Sequence, residues 1–243
     1  MTEVDRAVEV SDERVAIARS TIERDGAGWK IHIADRRAPY HQRIEGEISV
    51  EPLAPPFCPV ELTAGAGGLH GWQVLAPRAL VRARFERPGF QLEGIGYHDR
   101  NHGEERLDDA FARWGWARFH GPRATTVIYS MVERDGRRRA LLARASDGDA
   151  EVLPIEVAPP PESPTRRTGW GLELPERFGA GALTVSPTSL IEEAPFYARY
   201  RARLDGDPAI AAEGIGEHLD CDRFRHRGLQ FLLRYKMLGA WRF

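Results

Sequence analysis

Residues 81–97 read VRARFERPGFQLEGIGY, and this stretch decides the fold class. Val81, Ala83 and Phe85 alternate with Arg82, Arg84 and Glu86. That period of two lays apolar side chains along one face of a half-buried strand. Arg87-Pro88-Gly89 then supplies a turn, and Phe90 to Tyr97 runs back as the partner of an antiparallel hairpin.

The same period recurs outward from the hairpin. Upstream, Trp29, Ile31 and Ile33 alternate with Lys30 and His32, and Ile44, Gly46, Ile48 and Val50 with Glu45, Glu47 and Ser49. Downstream, Trp114, Trp116, Arg118 and His120 share one face of a strand. Thr125 to Glu133 is β-branched and aromatic, and Asp135-Gly136 is a hairpin turn leading into Arg139 to Arg144. Leu183 to Ser186 and Phe196 to Leu204 add strands, while Ala158 to Arg167, with four prolines, reads as a loop or linker. Helical signals are few. Leu107 to Arg113 fits a short turn with Asp108 and Asp109 at its start, and Arg223 to Met237 fits either a helix or a final strand. The pattern predicts an all-β chain, as one large barrel or two stacked sheets.

Composition agrees. The 24 glycines and 17 prolines in 243 residues exceed average usage of roughly 12% and stay below the level of low-complexity disorder, which suits many short strands. A net charge of −2 gives no global field for nucleic acid. Lys30 and Lys236 are the only lysines, which fits a GC-rich bacterial genome and leaves few candidates for Schiff-base chemistry. Cys58 and Cys221 are too few for a disulfide framework, and Cys58, among prolines, suits a small buried residue better than a nucleophile. No apolar run approaches the roughly 20 residues of a membrane span, and Met1 to Arg24 has no signal-peptide core, so a cytoplasmic protein is expected.

Two loops mimic functional motifs. Residues 65–71, GAGGLHG, lack the glycine of a dinucleotide fingerprint, because His70 stands there, and the lysine of a phosphate loop. His98, Asp99 and His102 lie close in sequence, but on a strand the two histidines would be about 13 Å apart at roughly 3.3 Å per residue, too far for one ion unless a turn folds them together. No metal and no cofactor is expected.

Two pairs stand out instead. Tyr97 and Asp99 are two residues apart, as are His70 and Trp72, so each pair points to one side of an extended chain. A cavity receiving both would hold a carboxyl, a phenol, an imidazole and an indole. A carboxyl in an apolar pocket has its pKa raised and can serve as a general acid near neutral pH. Aromatic faces stabilise a developing cation, by up to about 2 kcal/mol each when desolvated, and neutral histidine accepts a proton from water. Such a set fits hydration or cyclisation of an unactivated alkene. On spacing alone the simpler reading is a Gly-rich turn in which Asp99 caps its own backbone while Trp72 and Tyr97 fill a core.

Residues 94–120, GIGYHDRNHGEERLDDAFARWGWARFH, resemble the carotenoid 1,2-hydratases (hydroxyneurosporene synthases) in a Tyr-x-Asp-x-Asn-x-Gly step followed by Leu-Asp-x-x-Phe and Trp-x-Trp. The stretches HGWQVLAPRALVRARFERPG (70–89), LIEEAPFYARY (190–200) and EHLDCDRFRHRGLQFLLRYKM (217–237) are similar to further motifs of that family, in the same order. The resemblance implies two lipocalin-like antiparallel β-sandwich or barrel units. One covers residues 1–112, carries the catalytic set and is shortened at its N-terminus, with about twenty residues before Ser20; the other covers 113–243. It further implies a cofactor-independent hydro-lyase adding water across the C1=C2 bond of an acyclic carotenoid such as neurosporene or lycopene. Asp99 would protonate the alkene, Trp72 and Tyr97 would face the carbocation, and His70 would activate water. Trp114, Trp116 and Asn101 would bind substrate. A lipocalin-like binder or cyclase for another apolar polyene is the other reading. A bilayer-borne substrate implies peripheral contact with the inner membrane, for which the arginines and aromatics between Arg223 and Phe243 are the candidate patch.

Overall fold

The computed structural model describes residues 8–11, 13–37, 42–62, 70–147, 154–208, 210, 212–226 and 228–229. Strands dominate it, as the alternation predicts. The first sheet is built from β1 (Val8–Val10), β2 (Arg14–Ile17), β3 (Ser20–Asp25), β4 (Gly28–Arg37), β5 (Gln42–Pro52), β6 (Val60–Glu61), β7 (His70–Arg87) and β8 (Phe90–Gly103). Its order is β1-β2-β3-β4-β5-β7-β6, with β8 along the other side of β7, and every pairing is antiparallel. The decisive hairpin is there, with Phe85 opposite Phe90 and Val81 opposite Gly94.

A single helical turn, α1 (Leu107–Ala110), leads into the second sheet. This contains β9 (Phe111–His120), β10 (Ala124–Glu133), β11 (Arg138–Ser146) and β12 (Ile155–Val157). After a separate two-stranded ribbon of β13 (Thr165–Arg167) and β14 (Glu173–Pro175), it resumes with β15 (Phe178–Ala180), β16 (Leu183–Glu193), β17 (Tyr197–Asp205) and β18 (Glu213–Asp220). The order β12-β11-β10-β9-β18-β17-β16-β15 places β18 beside β9, a pairing between segments about a hundred residues apart. Asp135-Gly136 turns β10 into β11, with Gly136 at φ +86°, a backbone state that costs glycine little.

Alternation on the second sheet sends side chains into two cores. Ala117, Phe119 and Ile128 pack with Leu172, Leu174, Tyr200 and Leu204. The opposite face, with Trp116, Val127, Tyr129 and Met131, packs on Phe57, Leu62, Trp72 and Val74 of the first sheet. Burial on both faces explains why β10 reads as a nearly continuous apolar run. Each fully buried large side chain contributes about 1.5–3 kcal/mol.

Two buried arginines tie the sheets together at their margins. Arg78 of β7 donates to the carbonyls of Gly121 and Pro122 at 2.9 and 2.6 Å, and its Nε lies 3.0 Å from Asp147. Arg139 of β11 donates to the Leu62 carbonyl and pairs with Glu156 at 2.7 Å.

Three expectations need correction. The proline-rich segment 158–167 ends in a strand, β13, rather than continuing as loop. The strand from Leu183 does not stop at Ser186 but runs to Glu193, and the register slips at Pro187, which has no N–H to give the ladder. Of the two readings open for residues 98–103, the turn is not formed; the stretch extends β8, held by β7 down to the pair His70 and Gly103. Arg223 to Met237 opens as the short helix α2 (Cys221–Phe224), but 227 and 230–243 lie outside the described residues, as does most of the 65–71 loop. Most of the proposed C-terminal membrane patch falls there too. Among the described residues, no helix is long and apolar enough to cross a membrane.

Candidate active site

Because β8 is extended, Tyr97, Asp99 and Asn101 project from one face and His98 from the other. His98 packs edge-on against Trp29, with ring centroids 4.7 Å apart, and burial lowers its pKa. The local cluster of two histidines and an aspartate is thereby split across the sheet. No group of three metal-ligating side chains occurs among the described residues.

On the inner face, two donors converge on one carboxylate oxygen. Trp72 Nε1 and Tyr97 Oη both donate to Asp99 Oδ2, each at 2.9 Å. Register explains the first contact: Trp72 of β7 sits opposite Asn101, which makes Asp99 its diagonal neighbour on the same face. Oδ1 receives no hydrogen bond from the described residues, so it is the oxygen left to carry a proton. Burial pushes the Asp99 pKa up; the Trp72 and Tyr97 donors oppose that shift, and the charge of Glu217 adds to it. Tyr97 is raised well above the ordinary phenol range, first by burial and then by Asp99, so it remains a donor.

Asp99 opens onto a cavity of about 340 Å³ between the sheets. Its aromatic walls are Tyr97, Trp114, Trp116 and Tyr129. The Tyr97 and Trp116 rings are 5.1 Å apart, and Trp114 stacks on Tyr129 at 5.8 Å. Asn101 also lines it. Five of the seven residues singled out from sequence therefore meet around one space: Asp99, Tyr97, Trp114, Trp116 and Asn101.

The other two stand behind it. Trp72 is 1% exposed, packs against Tyr129 at 5.2 Å and Phe57 at 6.5 Å, and reaches the site through its N–H rather than its ring face. His70 lies two residues further along β7, a displacement of about 6.4–6.8 Å along the strand. It is buried beside Phe111, with Nε2 3.6 Å from Glu105, and is not among the cavity's lining residues.

Sequence reasoning also expected the rest of the wall to be apolar. Instead, Arg118, Arg199 and Glu217 line it from the second sheet. Arg118 lies over the Tyr97 ring at 5.5 Å, and Arg199 pairs with Glu217 at 2.9 Å. Arg118 carried a signal, because it falls on the Trp114–Trp116 face of β9. Arg199 and Glu217 lie in the stretches 190–200 and 217–237 that resemble family motifs, but no local pattern placed them at this cavity, because their place depends on β17 and β18 returning beside β9.

A buried acid, oriented donors and an aromatic cavity suit protonation of an apolar alkene. Comparisons with known proteins give the family. A family model described as carotenoid hydratase CrtC matches residues 1–240. An acyclic carotenoid 1,2-hydratase of Thiocapsa roseopersicina is 33% identical over 242 residues, covering 98% of this chain and 57% of that protein. One from Rhodobacter capsulatus is 34% identical over 197 residues, covering 80% and 67%. The chain thus spans a little over half the length of the first relative and two thirds of the second. Among solved structures, an AttH protein of Nitrosomonas europaea aligns with TM-score 0.64 at 16% identity, over 86% of this chain and 70% of that one. CghA with Sch210972 aligns with TM-score 0.51 at 10% identity, over 88% and 69%. At such identities these two share the fold alone. Because that family model matches 1–240 of its 243 residues, the chain belongs to the carotenoid hydratase family.

Proposed function

We propose that the protein adds water across the C1=C2 double bond of an acyclic carotenoid by acid catalysis, with Asp99 as the proton donor. The observation that carries this reading is the Asp99 carboxyl, held through Oδ2 by Trp72 and Tyr97 and facing an aromatic cavity. Burial favours its neutral form, with Oδ1 the oxygen left to carry the proton. The alkene π pair takes that proton at C2 and leaves a tertiary cation at C1. Trp114, Trp116 and Tyr129 present ring faces to that charge. As the carboxylate forms, the two bonds to Oδ2 strengthen, so they assist the transition state more than the ground state. Water then adds at C1 to give a tertiary alcohol.

Within this reading Trp72 is a positioning residue. His70 is buried behind it near Glu105 and does not line the cavity. A cavity of this volume takes the end group of a long polyene, and the remaining chain extends beyond it. The test is incubation of purified protein with lycopene in liposomes, followed by mass analysis. A product heavier by one water is expected. Tight polyene binding with no hydrated product would instead support a lipocalin-like carrier and overturn the reading.

A further inference from the structure

Hydration also needs an acceptor for a proton of the attacking water. The attacking water must lose a proton as its oxygen bonds to C1. His70 was the sequence candidate, yet it does not line the cavity. One other carboxylate does. Glu217 on β18 reaches the cavity from the second sheet, whereas Asp99 on β8 reaches it from the first. Its environment differs from that of Asp99. Arg199 on the neighbouring strand holds it at 2.9 Å through Nε and Nη2, and the Tyr200 hydroxyl donates to its backbone carbonyl at 3.2 Å. One carboxyl is thus buried against aromatic rings with neutral donors, and the other is clamped by a guanidinium. A carboxyl on each side of the cavity offers a proton donor and a proton acceptor to one reacting double bond.

We infer that Glu217 is the general base of the hydration and that Arg199 is its positioning residue. This rests on the hydration reading above and assigns its second half. The proton of Asp99 Oδ1 passes to C2, and the π pair becomes the new C2–H bond. A lone pair of water forms the C1–O bond. One O–H bond of that water breaks, its electrons staying on oxygen and its proton going to a Glu217 carboxylate oxygen. The product gains the elements of one water, Asp99 is left ionised and Glu217 protonated. Proton exchange with water restores both. Placing the two carboxyls on opposite sheets lets water approach C1 from the wall facing the acid, the same division of labour that inverting glycosidases give two carboxyls on either side of a reacting carbon.

The inference separates two events that a structural role would leave joined. A C1 cation that is not captured returns to the alkene by losing a C2 hydrogen after rotation about C1–C2, so in deuterium oxide the recovered lycopene gains deuterium at C2 when Asp99 protonates it. Glu217→Gln should lose about 100-fold or more of hydration, within the range for removal of a general base, while deuterium exchange continues within about threefold of wild type. Glu217→Ala should regain hydration on addition of formate, which supplies a carboxylate to the emptied space. Arg199→Met should lower kcat with little change in KM. Hydration by Glu217→Gln within threefold of wild type would overturn the inference, as would loss of exchange and hydration together in a folded Glu217→Gln that formate leaves unrescued in Glu217→Ala. Failure of the underlying reading looks different: Asp99→Asn would then keep both exchange and hydration, or the wild-type protein would show neither.

Discussion

Replacing Trp72 by phenylalanine removes one N–H from the site and keeps most of the ring. The side chain is 1% exposed and wedged between Phe57 and Tyr129, so a phenyl ring still fills the greater part of its space. What disappears is one of the two donors to Asp99 Oδ2. A hydrogen bond to a charged group is worth about 1.5–3 kcal/mol. This one matters most as the carboxylate forms, so its loss falls on the transition state. At 1.36 kcal/mol per factor of ten, kcat should drop about 10- to 150-fold. The pH dependence adds a signed check. The Trp72 bond favours the ionised form and holds the Asp99 pKa down against burial. Removing it must raise that pKa, so the alkaline limb of the hydration profile should move to higher pH as the plateau falls. Steady-state hydration of lycopene in liposomes between pH 5 and pH 10, beside a thermal melt, supplies both readings. An unchanged kcat, or an alkaline limb that moves to lower pH, would refute the role given to Trp72.

Three further outcomes follow from the same geometry. Trp116→Leu keeps an apolar wall but removes a ring face worth up to about 2 kcal/mol to a desolvated cation, so kcat should fall as much as about 30-fold with a smaller change in KM. Arg78→Met leaves two carbonyls and Asp147 without their partner between the sheets; urea unfolding should show a loss of about 3–5 kcal/mol, or about 6–20 °C in Tm. His218 is buried with an unpaired Nε2, and burial, with Arg113 nearby, lowers its pKa to about 4. The unfolded state therefore takes up a proton near pH 6.5 that the folded state refuses, and up to about 3 kcal/mol of stability is lost as pH falls from 6.5 towards 4. His218→Gln should flatten that part of the stability curve measured in urea, and an unchanged slope would contradict it.

The fold was legible where the signal is local. The hairpin through Arg87-Pro88-Gly89 and the one at Asp135-Gly136 both follow from alternation and turn chemistry, and both are formed. So was the face shared by Tyr97 and Asp99, because a strand's period fixes which side a residue takes. Position along that face is a different quantity. His70 and Trp72 share a side, but one step of two residues separates the indole that reaches Asp99 from an imidazole that reaches Glu105 instead. Residues 98–103 looked like a turn because of their glycine and polar content; pairing with β7 overrides that preference. Glu217 and Arg199 were hidden for a topological reason. Their approach to Asp99 depends on β18 closing against β9, and no local pattern encodes a partner a hundred residues away.

The measurement that bears most directly on the chemistry is the rate of water addition by Asp99→Asn beside that of the wild-type protein, with melting curves to show that both are folded. The amide is nearly isosteric and still accepts from Trp72 and Tyr97 through its carbonyl oxygen, yet it has no acidic proton to give. Losing a general acid costs about 100- to 10,000-fold. A fall of that size in formation of the 1-hydroxy product, with the melt unchanged, is the expected result. A folded Asp99→Asn that hydrates lycopene within threefold of the wild-type rate would contradict the assignment of Asp99 as the acid.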